Sequence, residues 1–133
     1  MWRTLLSIVA GLMAWGVIVT LLNFGLRAAI PDYHAAEATL QFTLAMKIGR
    51  LGEAALTSVA AGAVVGWIAP SRRWAPWVVG PIILVVFLPV HISLWNKFPA
   101  WYHLAFLVPL APLVVLGASL MRNAGAERPA TAS

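Results

Sequence analysis

The chain contains no cysteine. That excludes disulfides, Cys-ligated zinc, iron–sulfur clusters, thiol nucleophiles and thiol redox chemistry. Charge is also scarce, at 10% Asp, Glu, Lys and Arg against about 25% in soluble domains. Only four residues are acidic. With 62% hydrophobic residues and a mean hydropathy of +0.88, the 133 residues hold too little polar side chain to cover a water-soluble surface. The class to expect is a small integral membrane protein. The sequence offers no distinct Ser–His–acid arrangement, no carboxylate pair and no phosphate-binding loop. No catalytic residue and no cofactor are therefore expected.

What charge there is leans basic, with nine Lys and Arg, a net +5 and a pI near 10.9. In a soluble protein that balance would point to nucleic acid. Here the basic residues are scattered, and orientation against anionic lipid is the simpler cause. No nucleic-acid partner is expected.

Four apolar runs follow one another. Thr4–Leu26 has no Asp, Glu, Lys or Arg; at 1.5 Å per residue it reaches about 34 Å, enough for a hydrocarbon core of about 30 Å. It exceeds the apolar core of a signal peptide, and no small-x-small cleavage site follows, so it reads as a retained span. Arg27–Ala38 is polar and reads as a loop. Leu40–Ala69 is periodic, but Lys47, Arg50 and Glu53 interrupt its first half. The expected span therefore begins near residue 48 and ends at 69, where Pro70 and Ser71-Arg72-Arg73 form a turn. Trp74–Trp95 and Leu104–Met121 complete the set, joined by a hairpin over Asn96–Tyr102. The fold expected is all-α: a four-helix transmembrane bundle, up-down-up-down with short loops, over residues 1–121. Small, alanine-rich Arg122–Ser133 has nothing to bury and is expected to be a disordered cytoplasmic tail.

Four spans place both termini on one side. With that side cytoplasmic, Arg3, Arg72, Arg73, Arg122 and Arg128 lie inside and Arg27 and Lys97 outside, as the positive-inside rule prefers; Lys47 and Arg50 narrow the margin if they count as loop. The location expected is a bacterial inner membrane. Trp2, Trp67, Trp74 and Trp77 fall at one boundary, and Tyr33, Trp95, Trp101 and Tyr102 at the other, as aromatic belts do. Trp15 alone lies mid-span.

Two patterns bear on packing. Ala54, Ser58, Gly62 and Gly66 recur every fourth position and include a GxxxG match, so a partner backbone can approach closely. The stripe serves either contacts inside the bundle or a homodimer seam. Gly11 and Gly16 are candidates for a similar use on the first span. Pro81, Pro89, Pro109 and Pro112 each remove a backbone donor, which neighbouring helices can tolerate as a kink.

The third pattern is polar. Threaded antiparallel, Asn23, Arg27, Lys47, Arg50, Glu53, His91 and His103 all fall in the outer half of the bundle, near the loop residues His34 and Glu37. Arg50 and Glu53 are three apart on one helix and can touch, and Thr57 continues that face. The cluster Asn23, Arg50, Glu53, Thr57, His91 and His103 is either an interfacial anchor, with Lys47 and Arg50 snorkelling to headgroups, or a shallow polar pocket. His34, His91 and His103 are the only nitrogens for a metal, and no tight ligand spacing unites them.

The segments Lys97-Phe98-Pro99-Ala100-Trp101-Tyr102-His103-Leu104 and Phe42-Thr43-Leu44-Ala45-Met46 resemble parts of uncharacterised small four-span bacterial integral membrane proteins. The resemblance implies the layout and no activity. Size and span count are also similar to those of small multidrug transporters, but their acid stands in the first span and here Glu53 is on the second. The function expected is an accessory or structural membrane protein that binds a membrane partner or lipid. The alternatives are a dimeric transporter of small cations coupled through Glu53, and a metal- or haem-binding redox module using His91 and His103.

Overall fold

A computed structural model describes residues 1–127 as five helices: α1 Trp2–Ala29, α2 Tyr33–Thr39, α3 Leu44–Ile68, α4 Ala75–Ser93 and α5 Ala100–Ala126. All except α2 are long and apolar enough to cross a membrane. Without water in the hydrocarbon core every backbone polar group must be satisfied internally, so an apolar run of this length is helical.

Local chemistry sets the boundaries. Thr43 opens α3, its Oγ1 accepting the Met46 N–H at 3.3 Å, as an N-cap does. At the other end Arg3 donates from Nη2 to the Ile68 carbonyl at 3.1 Å, placing a cation on the negative end of α3. Pro76 stands in the first turn of α4, and Pro99 immediately precedes α5, positions where the missing donor costs nothing. The inner prolines, Pro81 and Pro89 of α4 and Pro109 and Pro112 of α5, lie within continuous helices.

Several boundaries differ from expectation. The segment read as a loop over 27–38 is divided between the end of α1 and the short helix α2, whose Tyr33 and Ala36 are buried. Helix α3 starts at Leu44, where Thr43 caps it, ahead of the charged residues and of the span expected from about residue 48. The fourth begins at Ala100, and α5 runs on through Arg122–Ala126. Part of the expected disordered tail is thus helical. Its alanines favour helix, and Arg122 bonds back to Ser119 Oγ at 3.2 Å. Residues 128–133, with Arg128, lie outside the described part.

The four long helices close a ring in the order α1, α3, α5, α4. α1 runs antiparallel to α3, pairing Trp15 with Ser58 and Leu26 with Gly49. α4 runs antiparallel to α5, pairing Phe87 with Phe106 and Gly80 with Ala111. α3 and α5 are parallel neighbours: Arg50 with Tyr102, Gly62 with Val114 and Gly66 with Ala118 share a constant offset of 52 positions. Sequence order alternates up and down as expected, but α3 and α4, consecutive in sequence, sit diagonally. α3 is the central helix: 44% of its most apolar stretch is buried, against 17%, 33% and 22% for α1, α4 and α5.

The small-residue stripe holds the parallel pair together. A Cβ on Gly62 would run into the Val114 carbonyl, and one on Gly117 into the Val59 carbonyl. On Gly66 it would stand 2.6 Å from the Ala118 carbonyl oxygen. These glycines are taken by α5 of the same chain. Gly11 packs on Val65, whereas Gly16 meets nothing within 4 Å and has no packing part. Below α2 the interior is filled by Trp15, Ala61, Val65, Val79, Ile83, Leu110 and Val114.

Because the neighbour at Gly62 is backbone and cannot swing aside, Gly62→Ala is expected to cost roughly 2 kcal/mol or more. Gly16→Ala should stay within about 0.5 kcal/mol of wild type. Unfolding in mixed micelles, followed by circular dichroism, measures both. Equal stabilities for the two variants would contradict the packing.

Candidate functional site

The site lies where α2 caps the bundle. Leu40 ends α2 with a φ of 59°, a left-handed conformation that a branched side chain rarely adopts. It turns the chain so that Phe42 folds back beneath Tyr33. Tyr33, Ala36, Phe42, Met46, Phe98 and Tyr102 form a second core there. Next to it is a cavity of about 230 Å³, lined by residues of all five helices, among them Asn23, Glu37, Arg50, His91, Tyr102 and His103. Phe42, Phe87, Phe98 and Phe106 supply its apolar walls. The cleft is blind. Phe87 packs against Phe106 at 5.5 Å and against Trp15 at 4.7 Å between ring centroids, and the filled core continues below.

Arg50 is the electrostatic centre. Its Nε donates to the Tyr102 hydroxyl at 3.1 Å and its Nη1 to the Tyr33 hydroxyl at 2.9 Å. The guanidinium carbon lies 4.8 Å from the Phe42 ring centroid, a cation–π distance. None of these partners is an anion. The expected contact between Arg50 and Glu53 is absent: among the described residues the ion pairs are Arg27–Glu37 at 2.7 Å and His34–Glu37 at 3.5 Å. A long side chain on a helix leans toward the N-terminus. For Arg50 that is toward α2, away from Glu53. The same lean carries the Arg50 guanidinium to the two tyrosine hydroxyls. Nη2 makes no hydrogen bond among the described residues, and Arg50 is one of the residues lining the cleft.

Glu53 and Thr57 are both buried within the bundle. Glu53 Oε1 and Thr57 Oγ1 have no hydrogen-bond partner, as is also true of Asn23 Oδ1 and His103 Nε2. Ala54 and Ser58 face the neighbouring helices. Ser58 accepts the Trp15 indole N–H at 3.2 Å and donates to the Ala54 carbonyl at 2.7 Å, which accounts for the mid-span tryptophan.

His91 and His103 meet across the α4–α5 hairpin with Nδ1 atoms 2.8 Å apart. An ion held between them on opposite sides would need about 4 Å, from two bonds of about 2 Å. This spacing is that of a hydrogen bond and corrects the haem arrangement. His34 is 82% exposed beside Glu37, and the described residues hold no group of three or more His, Cys, Asp or Glu placed for a metal. The three-histidine site is not assembled.

Tyr33 and Tyr102 are not belt residues: they are 0% and 4% exposed. Burial raises the Tyr33 hydroxyl above its ordinary value, against the opposing pull of Arg50, so it is neutral and offers Arg50 an oxygen without charge. No local spacing ties Arg50 to either tyrosine. The available signal was physical: an arginine in an apolar helix must find partners.

Outside the spans, Arg27 and Glu37 clasp α2 onto α1. Burial alone would raise the Glu37 carboxyl, but the Arg27 hydrogen bond and charge outweigh it and hold it below the ordinary carboxylate value. A depressed folded-state value means stabilisation present above the unfolded-state value of 4.5 and lost as pH falls through the lower, folded one. Protection of the α2 amides, relative to their intrinsic exchange rates, should therefore fall selectively as the pH is lowered below the ordinary value of 4.5. In Glu37→Gln that acid-dependent step should disappear, and its persistence would show that another group controls the docking of α2.

No protein-family model matches the chain, no curated protein matches it, and no solved structure matches it.

Proposed function

We propose that this four-span membrane protein binds the anionic head of an amphiphile in the cleft beneath α2, with Arg50 as the anchoring residue. The observation that carries the reading is Arg50 itself. It is a half-buried guanidinium held by two tyrosine hydroxyls and one aromatic face, with Nη2 unbonded among the described residues and the residue itself lining the cavity. A charge inside a membrane protein is costly and marks a binding function by default. A carboxylate or phosphate on Nη2 would complete its neutralisation with charge-assisted bonds. Phenylalanines 42, 87, 98 and 106 suit the first part of an alkyl tail. The blind floor favours a receptor or accessory role over a conduit.

The excess of arginine at the far end (Arg3, Arg72, Arg73 and Arg122) favours a cytoplasmic location for both termini and a cleft in the outer half of a bacterial inner membrane.

Binding is measured by isothermal titration into the chain in neutral lipid nanodiscs, with empty nanodiscs subtracted. Decanoate and decyl phosphate should both bind, and their relative affinity tells a carboxylate from a phosphate head. Decanol and inorganic phosphate should bind at least about tenfold more weakly, since each lacks half of the recognition. Arg50→Gln should weaken decanoate by about tenfold or more, as expected for losing a charge-assisted bond of 1.5–3 kcal/mol. Equal affinity for decanol and decanoate would overturn the assignment.

A further inference from the structure

We infer that the His91–His103 pair is a one-proton site coupled to the cleft, so that an anionic head binds together with a single proton. The inference rests on the Arg50 reading and adds a group which that reading leaves unused.

Two Nδ1 atoms 2.8 Å apart require one to donate and the other to accept. In the neutral pair one ring carries its proton on Nδ1 and the other on Nε2. One further proton, taken from water onto a free ring-nitrogen lone pair, converts the contact into an imidazolium–imidazole bond. Charge-assisted bonds of this kind are about twice as strong as neutral ones. A second proton would set two N–H groups and two positive charges against each other across the same gap. The geometry therefore limits the pair to a single extra proton. The step moves no electrons, and the proton leaves by reversal.

Aromatic rings flank the pair. Trp95 stacks on His103 with centroids 4.7 Å apart and planes 15° from parallel, and Phe106 lies 4.5 Å from His91. Aromatic faces stabilise cations. His91 and His103 are 7% and 0% exposed, yet both line the cleft. His103 Nε2 is buried without a partner, leaving a nitrogen for the ligand or for a water that accompanies it.

The ionisable groups around the pair come from three other helices and from α5. Arg50 and Glu53 are on α3, Glu37 is on α2 and already paired with Arg27 of α1, and Tyr102 is beside His103. Tyr33 stands behind Arg50. Among these Arg50 is the fixed cation, and in the empty cleft it opposes a further positive charge. An anion seated on Arg50 cancels that opposition. By linkage, a proton on the pair then strengthens anion binding by the same factor.

Titration of decanoate into the full chain in neutral nanodiscs, at pH 7.5 in Tris and in imidazole buffer, counts the protons taken up from the difference in heat. Wild type should take up close to ~1 proton per decanoate. Over the alkaline range its dissociation constant should rise by about tenfold per pH unit, the slope of a one-proton linkage. His103→Asn keeps Arg50 and should bind decanoate more weakly than wild type and with almost no uptake. If that variant fails to fold, the wild-type proton count and pH slope decide the matter alone. Binding with no proton uptake and no pH slope would overturn the one-proton site while leaving the Arg50 reading standing. Uptake of two protons would overturn the shared-proton geometry. Absence of decanoate binding in wild type would overturn both.

Discussion

The backbone-to-backbone contact of α3 with α5 is the constraint from which the rest of the architecture follows. In lipid two apolar helices gain nothing by hiding from the solvent, so association depends on close packing. Gly62, Gly66 and Gly117 allow the two backbones to meet, and they do so in parallel at one register. That register carries Arg50 to Tyr102. It also sends α4, rather than α5, to the diagonal position, where His91 can reach His103. A slip of one turn would move Arg50 away from the hydroxyl that receives it.

The electrostatics of the cleft follow from this placement. Arg50 is given oxygens and a ring face but no carboxylate. Neither nearby acid pairs with it: Glu37 is held by Arg27 at 2.7 Å, and Glu53 Oε1 is buried without a partner. α2 matters because it supplies Tyr33 and, through the strained Leu40 turn, Phe42. A seven-residue helix thereby closes one end of the bundle and supplies two of the three contacts that hold the guanidinium. Beneath the cleft, the packed rings of Phe87, Phe106 and Trp15 separate it from the apolar core.

Much of this was legible in the sequence, for identifiable reasons. Apolar runs long enough to span a bilayer gave four helices, because lipid leaves the backbone no alternative. The periodicity of Ala54, Ser58, Gly62 and Gly66 marked a surface for close packing. The gathering of polar residues toward one end followed from threading the spans. What was not legible depends on tertiary register. The expected Arg50–Glu53 contact used local spacing, which is blind to the direction in which a long side chain leans. Tyr33 and Tyr102 read as interface aromatics, because the offsets of 17 and 52 positions that join them to Arg50 correspond to no helical repeat. The hydrogen bond between His91 and His103 likewise depends on how α4 and α5 close their hairpin. Helix α2 was hidden by its polar composition and shortness, and the end of α5 by an alanine-rich stretch that composition alone assigns to a tail.

The central claim is that the cleft exists to hold an anionic oxygen on Arg50. Native mass spectrometry of the chain released directly from the membrane in which it is expressed tests this without choosing a ligand beforehand. The account predicts a discrete adduct whose fragment is an anionic amphiphile, retained at collision energies that strip bulk lipid and missing from Arg50→Gln. A chain that sheds every adduct together with the bulk lipid, or that retains only neutral or zwitterionic species, would contradict it.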